Sequence, residues 1–102
     1  MTLDAIWEHI ERLATEHGIR IDTRIERPID AFAVPWAPTI CITPLRSAVG
    51  YATALHEIGH IVLGVAGEDV FDERAAWEWA RQNALVWTPA MERTLQLRAR
   101  IV

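Results

Sequence analysis

A single cysteine, Cys41, stands among 102 residues. No internal disulfide can form, so the fold must rest on a buried core, and a reducing compartment is the expected setting. No apolar run approaches the ~18 residues of a membrane-spanning helix. The opening residues, Met1 to Glu8, lack the basic start of a secretory signal and are interrupted by acids. The expected location is therefore the cytoplasm, with no membrane partner. Clustered basic charge is also lacking: 14 acidic residues outnumber 10 basic ones, for a net charge of −4. Nucleic-acid affinity rests on clustered cationic side chains, so a nucleic-acid partner is not expected. Arg93, Arg98 and Arg100 form a locally basic run, which helical spacing spreads around a solvated face. Internal repeats and low-complexity tracts are absent, and the length suits one domain spanning residues 1–102.

What is present is an ordered alternation of patterns. Leu3, Ile6, Ile10, Leu13 and Ala14 recur at helical steps, predicting a helix over 3–17 with Thr2 as its cap and Gly18 at its end. Ile19 to Glu26 alternates apolar and polar residues, as a half-buried strand does. Two short apolar runs, 31–34 and 39–42, are bounded by prolines and read as edge strands or strand ends. From Ser47 the pattern is helical over 48–63, and Gly64 stops it. A loop over 65–72 leads to a helix over 73–87, and Thr88-Pro89 opens a last helix over 89–100. Helix, strands, then three helices predict an α+β domain with a small twisted sheet of three strands.

The second helix carries His56-Glu57-Ile58-Gly59-His60. Histidines four residues apart lie one turn above each other on one helix face and can converge on one Zn²⁺. Glu57 lies about 100° round the helix, where it can hold a water at the metal without being a ligand. A catalytic zinc takes a third protein ligand and keeps one position open. No histidine follows His60, which leaves Glu68, Asp69, Asp72, Glu73 and Glu78. Glu73 is the choice: it opens the next helix, with Ala76 and Ala80 at close-packing positions, and a helix fixes a ligand better than a loop. Gly59 leaves backbone space beside the second histidine.

HEIGH at 56–60 together with ERAAWEWA at 73–80 resembles the ImmA/IrrE-type zinc metallopeptidases, whose pattern is H-E-x-G-H followed by E-x-x-A-N-x-F-A. The resemblance covers roughly residues 39–89. It implies a gluzincin-type site with one Zn²⁺ on His56, His60 and Glu73, Glu57 as catalytic base, and Thr39–Thr43 as the strand beside the substrate cleft. The implied substrate is a protein or peptide, with a single specific regulatory protein as the narrower expectation. Three features depart from the pattern. Trp77 stands where the family has Asn, Pro89 falls about a turn late, and a helix-turn-helix domain does not fit in the chain. The small size resembles a minimal or phage-encoded form. The rival expectation is a zinc-binding interaction module with little or no hydrolase activity, and a further rival is a metal-free interaction protein.

Other residues carry weaker signals. Tyr51, Arg46 and Arg74 are candidates for stabilising an oxyanion, with packing the alternative for Tyr51. Trp77 and Trp79 are expected in the core, whereas Trp36, between Pro35 and Pro38, is expected to be exposed and to contact substrate or a partner. His9 and His17 are expected to be solvent-exposed, and Cys41 to be a small buried hydrophobe.

Overall fold

The computed structural model describes residues 2–69 and 72–99. Helix α1 (Leu3–Glu16) leads into strand β1 (Arg20–Asp22), a single 3₁₀ turn (Pro28–Asp30), and strands β2 (Phe32–Val34) and β3 (Thr39–Cys41). Helices α2 (Ala48–Val65), α3 (Glu73–Asn83) and α4 (Pro89–Arg98) follow. The architecture is the α+β arrangement expected, with a three-stranded mixed sheet in the order β1-β3-β2. β1 runs parallel to β3, and β2 runs antiparallel to it, with Ala33 opposite Ile40. β3 is thus the central strand, with Pro38 and Pro44 outside its ends, while β2 lies at an edge and is followed by Pro35, so proline stays at edges and ends as expected. None of the described helices is long and apolar enough to cross a membrane.

Local chemistry sets the element ends. The Thr2 hydroxyl accepts from Ala5 N–H at 3.1 Å, and Gly18 turns the chain out of α1 at φ +66°. Ile19 N–H then reaches back to Ala14 O at 2.8 Å, satisfying a carbonyl at the helix end. β1 is shorter than the 19–26 strand expected. The Asp22 carboxylate accepts from Arg24 N–H at 3.0 Å and pairs with its guanidinium, folding the backbone into a local turn that competes with the ladder. α2 passes through Gly64, where a stop was expected. The left-handed residue is Gly67 (φ +88°), and Glu68 N–H bonds Leu63 O at 2.9 Å. α3 stops at Asn83 instead of reaching Trp87, because the Asn83 amide bonds Trp79 O and Ala84 is already extended at ψ 142°. In α4 the ladder ends at Arg98, and Arg100 lies outside the described residues.

α2 is the axis of the molecule. Every residue from Gly50 to Ile61 is buried, including Tyr51, Leu55, Ile58 and Ile61, so the helix is covered on all sides. α1, the sheet, α3 and α4 supply that cover. Each fully buried Leu or Ile contributes roughly 1.5–3 kcal/mol over an exposed one. His9, expected in solvent, is buried at 5% exposure, because helical steps from Ile6 and to Leu13 turn it inward. Its Nδ1 shares a 2.6 Å hydrogen bond with the Tyr51 hydroxyl, which also accepts from Leu85 N–H at 2.9 Å. One phenol thereby ties α1, α2 and the α3–α4 connection together, and desolvation holds the His9 pKa below its ordinary value.

α3 approaches α2 closely at one point. A Cβ on Gly59 would lie 2.9 Å from Ala76 O and 3.2 Å from Trp79 Cε3. Glycine inside a helix ordinarily costs about 1 kcal/mol against alanine. Here the sign reverses: Gly59→Ala should lower stability by about 1–3 kcal/mol in urea unfolding, because backbone must shift to admit the methyl group. Tyr51→Phe should cost about 1–3 kcal/mol in the same assay, since it strips the partner from His9 and from the Leu85 amide.

Candidate metal centre

Placing His56 and His60 on α2 fixes both imidazoles on the side that α3 covers. They are stacked edge-on, with ring centroids 4.5 Å apart. The Gly59–Ala76 contact holds α3 against this face, and the first turn of α3 brings Glu73 over the two rings. His56 Nε2 lies 2.9 Å from Glu73 Oε2, His60 Nε2 lies 2.7 Å from Glu73 Oε1, and the two Nε2 atoms are 3.0 Å apart. Side-chain exposure is 7% for His56, 9% for His60 and 34% for Glu73, so the group is sealed on the helix side and open on the other.

Three electron-pair donors this close need a cation between them, either protons or a metal ion. A tetrahedral Zn²⁺ with bonds of ~2.0–2.1 Å wants donors about 3.3 Å apart; the separations here, 2.7–3.0 Å with the two imidazoles on different Glu73 oxygens, are tighter than that by about 0.3–0.6 Å. Two imidazoles with one carboxylate are a donor set that catalytic zinc uses. The donors present therefore fit one such ion.

Among the other acids, Asp72 is spent as the α3 cap, accepting from Ala75 N–H at 3.0 Å, and Glu78 pairs with Arg81. Glu57 is the alternative donor, since His56, Glu57 and His60 also form a buried group close enough to hold an ion. We favour Glu73, because its oxygens face both Nε2 atoms, whereas Glu57 Oε1 lies beside His56 Nδ1 at 3.0 Å. That contact is within ion-pair distance, and His56 Nδ1 is buried without a hydrogen-bond partner. It is a contact of charge rather than a directed bond. Burial alone would lower the His56 pKa, but the Glu57 and Glu73 carboxylates outweigh it and hold it above the ordinary 6.5. Glu73 is held well below the usual carboxylate range by hydrogen bonds from His56 and His60.

Trp77 sits where a hydrogen-bonding side chain was the expectation. Its indole is fully buried and lies flat on His56, with centroids 4.3 Å apart and planes within 13°. Stacking thus restrains the imidazole plane that a hydrogen bond to Nδ1 would otherwise fix.

The open side of the centre is a cleft of about 260 Å³ lined by Ala31, Phe32, Ala33, Pro35, Trp36, Glu57, His60 and Glu73. The strand on this cleft is β2, not the Thr39–Thr43 strand that the resemblance implies. β3 lies one strand further in, because β2 is inserted outside it in the sheet order. Trp36 is exposed as expected, at 83%, and Cys41 is buried. Phe32 lacked any signal in its sequence neighbourhood; only the strand order brings it to the centre. Of the two readings of Tyr51 the packing one holds: it is a core residue, its hydroxyl committed to His9 and Leu85. Arg46 and Arg74 line grooves elsewhere.

Compared with protein-family models, with curated proteins and with solved structures, the chain gives no match, so the reading of this centre rests on its own residues.

Proposed function

We propose that this chain is a zinc-dependent peptidase with one Zn²⁺ held by His56, His60 and Glu73. The observation that carries the proposal is the triangle of two Nε2 atoms and a bridging carboxylate within 2.7–3.0 Å, with Glu57 beside it in the same cleft. The bound ion would supply Lewis acidity, lowering the pKa of a water toward ~7 and polarising a carbonyl. Glu57 takes the proton from the attacking water onto its carboxylate and returns it to the leaving amine. His56 and His60, buried against α3, keep their rings fixed, and Trp77 holds the His56 plane. The substrate is a protein or peptide rather than nucleic acid, in keeping with a net charge of −4 and two carboxylates on the cleft. The unpaired thiol of Cys41 favours action in the cytoplasm. A specific regulatory protein as substrate, and membership of the ImmA/IrrE-type family, belong to the same proposal.

A second reading draws on two observations. Glu57 Oε1 rests against a ligand imidazole, and among the described residues neither arginine nor tyrosine lines the cleft to stabilise an oxyanion. On that reading the chain binds zinc but acts as an interaction module.

Elemental analysis should find near-stoichiometric zinc in the wild type and much less in Glu73→Ala. Full zinc in both would move the third ligand to another acid, and none in the wild type after zinc is supplied would overturn the proposal. Glu57→Gln should retain zinc and lose about 10²–10⁴-fold in peptide hydrolysis. A partner-binding activity indifferent to that change would select the interaction module.

The pH dependence has a defined sign. In the metal-free chain, His56 has a raised pKa, so its stabilising contribution is full below 6.5 and fades as pH rises through the folded-state value. Glu73 has a lowered pKa, so its contribution is full above 4.5 and is lost as pH falls through the folded-state value. Zinc must displace the His56 proton. The gain in melting temperature on adding Zn²⁺ should therefore be small near about pH 5.5 and grow toward about pH 8.

A further inference from the structure

The cleft wall opposite the metal centre has features that catalysis alone does not require. Phe32 is 48% exposed and Trp36 is 83% exposed, and both line the same cleft as Glu57, His60 and Glu73. Alternation along the strand explains Phe32: Ala31 and Ala33 pack on the core, which turns the residue between them outward. Trp36 is held in the turn between β2 and β3, where Pro35 and Pro38 fix two backbone angles and Ala37 N–H bonds Val34 O at 3.3 Å. Two aromatic rings displayed on a stiff hairpin lose little conformational entropy when a ligand covers them.

The cleft's size and charge narrow the ligand. About 260 Å³ falls below the ~300–1,000 Å³ of pockets that enclose a whole small molecule. It suits one large side chain of a longer ligand. β2 is paired only with β3, so among the described residues the other edge of its backbone is free to bond an extended segment. Among the described residues no arginine lines the cleft, so a carboxylate laid on the Phe32 and Trp36 rings would lose its water without gaining a cationic side chain.

We infer that Phe32 and Trp36 form a specificity subsite, which takes a bulky apolar side chain of an extended polypeptide lying along β2 and rejects acidic residues there. The inference rests on the peptidase reading for its account of why a peptide lies at this centre.

The test uses blocked peptides of the form Ala-Ala-Xaa-Ala-Ala with Xaa as Phe, Leu, Ala or Asp. Binding is measured by calorimetry on the zinc-supplemented Glu57→Gln chain, and cleavage on the wild-type chain. The Phe and Leu peptides should bind about tenfold tighter than the Ala peptide, and the Asp peptide weakest. Adding Trp36→Ala or Phe32→Ala should remove that preference while melting temperature and zinc content hold. Equal affinity for all four peptides, no binding of any, or a preference that survives both substitutions would overturn the subsite. Cleavage that depends on Glu57 but ignores Xaa would overturn the subsite and leave the peptidase standing. The expected order in binding, with no cleavage by the wild type, would overturn the peptidase and leave the subsite.

Discussion

The approach of α3 to α2 at Gly59 is the constraint on which the rest depends. The absent side chain lets the Ala76 carbonyl and the Trp79 ring come within 2.9 Å and 3.2 Å of where a Cβ would stand. Only at that spacing does the first turn of α3 lie over the imidazoles of α2. Glu73 then spans both rings, and the Trp77 indole falls flat on one of them. A wider gap would leave the histidines facing water or apolar side chains, and the carboxylate would have no reason to turn inward. The helix pair is thus less a scaffold to which a site was added than the site's own geometry.

Burying so many polar groups in a 102-residue chain is costly unless they satisfy each other. His56, Glu57 and His60 lie on the most buried helix of the molecule, among Leu55, Ile58 and Ile61. Their charges are balanced locally, carboxylate against imidazole, and the shifts of His56 and Glu73 in opposite senses record that balance. The His9–Tyr51 pair solves the same problem without charge, through a hydrogen bond between neutral groups. Low surrounding polarity makes both arrangements stronger than they would be in water.

Much of the fold was legible because its signals are local. Helical steps located α1 and α2, Thr2, Ser47 and Thr88 capped helices as expected, and the proline-bounded runs were strands. The juxtaposition of His56, His60 and Glu73 was also legible, since two of them share a helix face and the third opens the next helix. The misses came from side chains acting on backbone or across long separations. The Asp22 carboxylate cut β1 short, and the Asn83 amide ended α3 early. Helical steps turn His9 inward, but the partner that satisfies it there is a tyrosine 42 residues away, which no period within α1 announces. Which strand lines the cleft depends on the order β1-β3-β2, which follows from packing rather than from any one strand's composition.

The exposed hairpin of β2 and β3 has a consequence for how such a chain can change over generations. α2 cannot vary freely, because each of its central residues serves packing as well as the polar centre. Phe32 and Trp36 lie outside the buried core. The packed helix pair and the solvent-facing aromatic rings are therefore encoded on separate stretches of one small chain, so a change in one need not disturb the other.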